Sequence, residues 1–230
     1  MRLALFGGTF DPLHLGHLRV ARAAADAFAV DRVLFAPTGR QPLKAAAPEA
    51  AFEDRLAMVT LALAHPGTQD QADPPPDPRL AVSVLDAPRP DGHPNYTVDL
   101  LEDLARAHPG AQLFAIAGVD SFLTLAQWRS PTRVLALAEW IVVSRPGLDL
   151  APTDSAGADF LARPEFVSLA LTPAQRSRIH LLPGIYEDIS ATDLRARLHA
   201  AATPSGDPAL LDWLPSSVIT YIRDHHLYQP

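Results

Sequence analysis

The chain has no cysteine at all. Disulfides, thiolate metal sites and a cysteine nucleophile are thereby excluded, while the redox compartment stays open. Lysine is almost missing as well: of 19 lysines and arginines, Lys44 is the only lysine. A lone lysine among so many arginines either has a task of its own or is there by chance. No stretch approaches the ~20 apolar residues of a membrane span. The opening apolar run, Leu3 to Phe6, is too short for a signal-peptide core. A cytoplasmic location, with no membrane partner, is the default expectation. Basic excess is also lacking. The formal net charge of −7 argues against a nucleic-acid partner, which would need a basic face to neutralise phosphates. It leaves room for a small phosphorylated substrate, because a few local cations outweigh a weak mean field. Neither a Gly-x-x-x-x-Gly-Lys motif nor a readable Ser-His-Asp order is present.

What is there is an ordinary globular composition, 48% hydrophobic and 20% charged over 230 residues, sufficient for one α/β domain. Short apolar runs at Leu3 to Phe6, Arg32 to Ala36, Leu80 to Leu85, Leu113 to Ala117, Trp140 to Val143 and Ile179 to Leu182 read as strands. Helical spacing marks Leu15 to Phe28, Phe52 to Ala64, Val98 to Ala107, Phe122 to Ala126, Arg133 to Ala138, Thr192 to Ala201 and Ser216 to His225. Such alternation predicts a doubly wound, Rossmann-like parallel sheet covered on both faces. Residues 7 to 17 then fall at the carboxyl end of the sheet, where open α/β sheets bind ligands. Pro66 to Pro78 and Pro146 to Ala158 read as loops. With no repeat and no clear linker, residues 1–230 are expected to form one domain.

The chemistry is concentrated in Gly7-Gly8-Thr9-Phe10-Asp11-Pro12-Leu13-His14-Leu15-Gly16-His17. Gly7 and Gly8 lack side chains, so the backbone is able to turn sharply and come close to a phosphate. The helix that follows offers free N–H groups and the positive end of its dipole. His14 and His17, three residues apart, share one helical face and are placed to donate to a phosphoryl group, with Gly16 keeping space open between them. Each piece has a plainer explanation. Gly-Gly after a strand is usually only a turn, and a surface histidine is usually idle. A His-x-x-His pair alone is a poor zinc site. Their coincidence at one strand-to-helix junction is what points to phosphate.

This stretch resembles the signature of the HxGH nucleotidyltransferases, in the form found in bacterial nicotinate-nucleotide adenylyltransferases. The similarity runs on through Asn95-Tyr96-Thr97, Gly118-Val119-Asp120-Ser121, Trp128, Ser144-Arg145-Pro146-Gly147, Ile189 to Arg195, and the closing Leu214-Pro215, Tyr221-Ile222-Arg223 and Leu227-Tyr228. The resemblance implies adenylyl transfer from ATP to nicotinate mononucleotide, giving deamido-NAD and pyrophosphate, with magnesium held largely by substrate and water. It implies His14, His17 and Arg195 as catalytic residues. ATP would meet Gly7, Gly8, Thr9, Phe10, His14, His17, Ser190, Thr192 and Arg195. Ser190 and Thr192 also suit a helix N-cap, Thr192 being the better candidate. Arg195 lies one turn further on, with forked donors.

For the acceptor, the resemblance implies Lys44, Tyr96, Thr97, Asp120 and Trp128, the last stacking on the nicotinate ring. The plainer alternatives are a core or interface aromatic for Trp128 and helix capping for Thr97 and for Asp120, with Ser121 able to share the latter. Arg55 resembles the family's arginine on the second helix, with a solvated surface charge as its rival. Two departures stand out. Leu43 replaces the histidine of Pro-Pro-His-Lys, and Asn95 replaces the serine of Ser-Tyr-Thr. The alternatives are the same chemistry on nicotinamide mononucleotide or on phosphopantetheine, or an inactive nucleotide sensor.

Overall fold

In the computed structural model, the described residues are 1–43, 46–68, 74–143, 166, 169–182, 190–201 and 207–229. Six parallel strands form one sheet: β1 (Arg2–Gly8), β2 (Arg32–Pro37), β3 (Leu80–Val82), β4 (Gln112–Gly118), β5 (Glu139–Val143) and β6 (Ile179–Leu182), in the order β3-β2-β1-β4-β5-β6. The helices are α1 (Leu15–Ala27), α2 (Phe52–Ala64), α3 (Thr97–Ala107), α4 (Val119–Phe122), α5 (Pro131–Leu137), α6 (Pro173–Arg176), α7 (Ala191–Ala200), α8 (Pro208–Trp213) and α9 (Ser216–Asp224).

The strand interiors are mostly apolar because both faces of the sheet are covered. Their side chains alternate between two cores. Ala4, Phe6, Val33, Phe35, Phe114, Ile116, Ile141 and Val143 join Leu18, Met58, Leu194, Ile219 and Ile222 on one side. Leu3, Leu5, Leu113, Ala115, Trp140 and Val142 join Leu101, Leu104, Phe122 and Val134 on the other. Each Val, Leu, Ile, Phe or Met side chain among them contributes about 1.5–3 kcal/mol on leaving water. The winding reverses beside β1: the chain builds β2 and β3 outward on one side, then crosses to β4 on the other. That reversal opens a crevice at the carboxyl ends of β1 and β4.

All six strands fall where hydrophobic patterning places them, although β3 stops at Val82, three residues short of Leu85. The helix expected over Phe122 to Ala126 is instead two pieces, α4 and a 3₁₀ turn at Leu125–Gln127. Two short helices with Pro at their starts, α6 and α8, carry too few turns for periodicity to reveal them. The described parts of the loop between Pro66 and Pro78 are irregular, and Gly67 accepts hydrogen bonds from the N–H and hydroxyl of Ser216 at the start of α9. Among the described residues, no helix is long and apolar enough to cross a membrane.

Candidate active site

Gly7 and Gly8 are the last residues of β1, so the sharp turn is not theirs. It comes at Phe10, whose φ of 49° lies in the left-handed region. A Cβ on Gly8 would stand 2.8 Å from the Phe10 ring; the glycine makes room for that aromatic. Phe10 is buried against Phe6, with centroids 5.5 Å apart, and against His17 at 5.0 Å. Gly7 is exposed, and nothing lies within 4 Å of where its Cβ would be. The strand end is therefore approachable by a ligand.

His14 is the N-cap of α1 and His17 its third residue. The backbone N–H of His14 donates to Nδ1 of His17 over 3.2 Å. A ring nitrogen that accepts carries no proton, so neutral His17 holds its proton on Nε2. The two imidazole centroids are 3.8 Å apart. His14 is buried and His17 half-buried. The first turn of α1 has no acidic residue, so the positive end of the helix dipole is not neutralised from within the helix.

Between the turn and the histidines lies Asp11, whose role composition and spacing gave no reason to suspect. Its carboxylate is buried, accepting from the N–H groups of Glu49 (2.8 Å) and Ala50 (3.1 Å) and from the Tyr228 hydroxyl (2.7 Å). Arg55 is buried too, with 1% exposure, which overturns its reading as a solvated surface charge. Its guanidinium donates to the carbonyls of Thr9 (2.7 Å) and Ala50 (3.2 Å). Burial lowers the pKa of Arg55, with nearby Asp11, Tyr228, Asp86 and Glu53 pulling the other way. These bonds tie the β1–α1 turn to the start of α2.

The second half of the site arrives from far along the chain. Arg195 Nη1 donates to the carbonyl oxygen of Asp11 over 2.6 Å, across 184 residues of sequence. Its Nη2 lies 3.4 Å from Thr192 Oγ1, and its Nε is 3.5 Å from Glu49. The N-cap of α7 is Ser190 and not Thr192. Ser190 Oγ accepts from Asp193 N (3.2 Å) and donates to the Asp193 carboxylate (2.6 Å), a closed capping box. Thr192, one residue into the helix, keeps an exposed hydroxyl beside Arg195.

The described acceptor candidates are Tyr96 and Thr97 at the start of α3, Asp120 in α4, and Trp128 just after the 3₁₀ turn. Trp128 is half-buried: its ring meets Trp140 edge-on at 5.5 Å, and its Nε1 donates to Thr124 over 2.9 Å. The next residue, Arg129, lies 4.7 Å from the centre of the Tyr96 ring and 3.8 Å from Asp99, joining this loop to α3. Tyr96 occupies the N-cap position of α3, and Thr97 is the first helical residue, so Thr97 is no cap. Gly118 is the N-cap of α4, which removes the capping explanation for exposed Asp120 and for Ser121.

Asn95 has a definite structural task, since its amide donates to Asp86 (3.1 Å) and to the Ala87 carbonyl (2.9 Å). Burial pushes the Asp86 carboxyl up to about 6, against the opposing pull of Asn95, Thr38 and Arg55. Leu43 is exposed. Lys44, Ser144-Arg145-Pro146-Gly147 and Ile189 lie outside the described residues.

The cytidylyltransferase-like family profile matches residues 5–197. The chain is 36% identical to the "Probable nicotinate-nucleotide adenylyltransferase" of Corynebacterium kroppenstedtii, over 100% of this chain and 92% of that one. It is 38% identical to the protein of the same name from Salinispora arenicola, over 97% and 99% of the two chains. Among solved structures, Plasmodium falciparum nicotinic acid mononucleotide adenylyltransferase complexed with NaAD superposes with a TM-score of 0.68 at 15% identity, covering 99% of this chain and 97% of that one, a likeness of fold. A profile spanning most of the sequence and relatives matched along nearly their whole length place the chain in the cytidylyltransferase-like family, among the nicotinate-nucleotide adenylyltransferases.

Proposed function

We propose that this chain transfers the adenylyl group of ATP to nicotinate mononucleotide, giving nicotinate adenine dinucleotide and pyrophosphate. One observation carries the assignment of the site: the close, mutually tilted imidazoles at the start of α1 and the Arg195 guanidinium from α7 meet at one short loop. An oxygen of the acceptor's 5′-phosphate attacks the α-phosphorus of ATP. As that bond forms, the bond from the α-phosphorus to the α–β bridging oxygen breaks, and pyrophosphate leaves with the electron pair. Such chemistry asks little covalent work of the protein and much positioning and charge neutralisation.

In this reading the Nε2–H of His17 and the His14 ring stabilise charge on the α-phosphate. Exposed Gly7, with Gly8, Thr9 and Phe10, lets the nucleotide approach the end of β1. Thr192, Arg195 and the N-terminus of α7 take the β- and γ-phosphates, with Ser190 holding that helix end in shape. Tyr96, Thr97, Asp120 and Trp128 receive the acceptor, together with Lys44.

Magnesium fits as part of the nucleotide. Among the described residues no group of three or more His, Asp or Glu stands together to hold a metal. The carboxylate within the histidine loop itself, Asp11, already accepts from two N–H groups and a hydroxyl. ATP's own phosphate oxygens and water would hold the ion, which supplies neutralisation of phosphate charge. A single domain over residues 1–230 and a cytoplasmic location belong to the same proposal.

The test is pyrophosphate release with ATP and, separately, nicotinate mononucleotide, nicotinamide mononucleotide and phosphopantetheine. Release with the first at the highest kcat/KM is the expected result. Preference for either of the others overturns the acceptor assignment. ATP-dependent thermal stabilisation with no pyrophosphate from any acceptor would leave a nucleotide sensor instead.

A further inference from the structure

We infer that Tyr228 is a positioning residue for ATP, acting through Asp11 on Arg195. The inference rests on the reading of Arg195 as a triphosphate cation. Tyr228 lies just beyond α9, buried to 5% exposure in the core shared by α1, α2, α7 and α9. Its φ of 56° is left-handed, a conformation unfavourable for a bulky side chain that persists only where surrounding contacts enforce it. The backbone N–H of neighbouring Leu227 donates to the Ile222 carbonyl over 3.0 Å, folding the segment back on its helix. What this arrangement achieves is one bond, from the Tyr228 hydroxyl to Asp11 Oδ1 over 2.7 Å.

Asp11 is the hinge of the relation. Its carboxylate is fixed by Tyr228, Glu49 N and Ala50 N, and its carbonyl oxygen receives Arg195 Nη1. Side chain and carbonyl share one Cα, so the carboxylate's partners restrain the backbone that carries the carbonyl. Arg195 is anchored through Nη1 and carries Nη2 toward Thr192. Among the described residues, Glu49 also lies beside Arg195, 3.5 Å from Nε, and pairs with His199 at 2.7 Å, so it competes for the same guanidinium. A firmly oriented Asp11 carbonyl keeps the arginine aimed across the turn toward the histidines. Burial and the neighbouring Asp11 carboxylate raise the phenol pKa, which keeps the hydroxyl proton in place for donation.

The experiment compares wild type, Tyr228→Phe, Arg195→Ala and the double variant, reading KM for ATP and KM for nicotinate mononucleotide separately. KM does not depend on the fraction of enzyme folded, so partial unfolding of Tyr228→Phe does not imitate the effect. We expect Tyr228→Phe to raise KM for ATP about tenfold, the scale of one lost hydrogen bond to a charged group. KM for the mononucleotide stays unchanged, and the increase vanishes in the Arg195→Ala background. An unchanged KM for ATP, an equal rise for both substrates, or full additivity in the double variant would each overturn the inference. If Arg195→Ala alone leaves ATP kinetics untouched, it is the assignment of Arg195 that fails.

Discussion

Arg195 donates to the carbonyl oxygen of Asp11 over 2.6 Å, and in doing so brings α7 against the turn that leads into His14 and His17. Replacing Arg195 with Ala is expected to lower kcat/KM for ATP by roughly 30- to 100-fold, the loss of charge-assisted bonds to phosphate. Arg195→Lys should restore only part of this, because an ammonium lacks the fork that spans Asp11 and a phosphate together. Steady-state kinetics with ATP varied at saturating acceptor measure both.

His17→Ala should reduce kcat by about 10²–10³, as for the loss of one preorganised donor at a developing charge. The Nδ1 bond from the His14 backbone also disappears in this variant. A far-UV spectrum and melting curve therefore accompany the turnover measurement. Near-normal kcat in a folded His17→Ala protein removes this residue from the chemistry.

Trp128→Ala should raise KM for the acceptor by about 5- to 150-fold, the range for losing one aromatic stacking partner. KM for ATP should stay put. Trp128→Phe keeps a stacking face while losing the bond to Thr124, and is expected to retain most of the affinity. Equal losses for Ala and Phe would assign the tryptophan to the core alone.

Arg55→Met removes a buried cation that holds two loop carbonyls beside the Asp11 carboxylate. Destabilisation of about 3–5 kcal/mol is expected, the cost of breaking a buried charge network on one side. Chemical denaturation reads it directly. A change below about 1 kcal/mol would mean that the network contributes little.

Asp86 gives a pH signature. Its folded pKa of about 6 stands above the ordinary aspartate value of 3.8, so the native state holds the proton more tightly than the unfolded chain. Stability from this group is present at low pH, declines as pH rises between about 4 and 6, and then levels off, by at most about 3 kcal/mol. Other carboxylates, such as Asp77, are shifted down by their arginine partners and act oppositely. The difference between wild type and Asp86→Asn isolates the effect: the variant should gain relative stability as pH rises through this window. A difference that stays flat with pH contradicts the shift.

The sheet was legible because each strand is a short apolar run closed by a turn residue, and burial of both faces demands such runs. The pair His14 and His17 is legible through helical spacing combined with its place at a strand-to-helix junction. The sequence favours Thr192 as the cap, yet Ser and Thr have similar capping preference; the choice falls to Ser190 because Asp193 stands at the position that closes the box. The tight turn was assigned to glycines on general preference, whereas packing forces Phe10 into the left-handed region. Arg55, Asp11 and Tyr228 were the hardest to read. Their meaning lies in contacts between residues 46, 184 and 217 positions apart, as in Arg55 with Thr9, Arg195 with Asp11 and Tyr228 with Asp11, and no local pattern carries such separations.

The long sequence interval between Asp11 and Arg195 has a consequence for how the protein comes into being. A ribosome delivers the histidine loop early and α7 much later, so a nascent chain displays imidazoles without the guanidinium that completes their setting. An amino-terminal fragment ending before α7 would carry the histidine motif and yet, on the proposed reading, lack half of the grip on nucleotide. On that reading competence is conferred late in synthesis, when a distant helix docks on a loop made at the start.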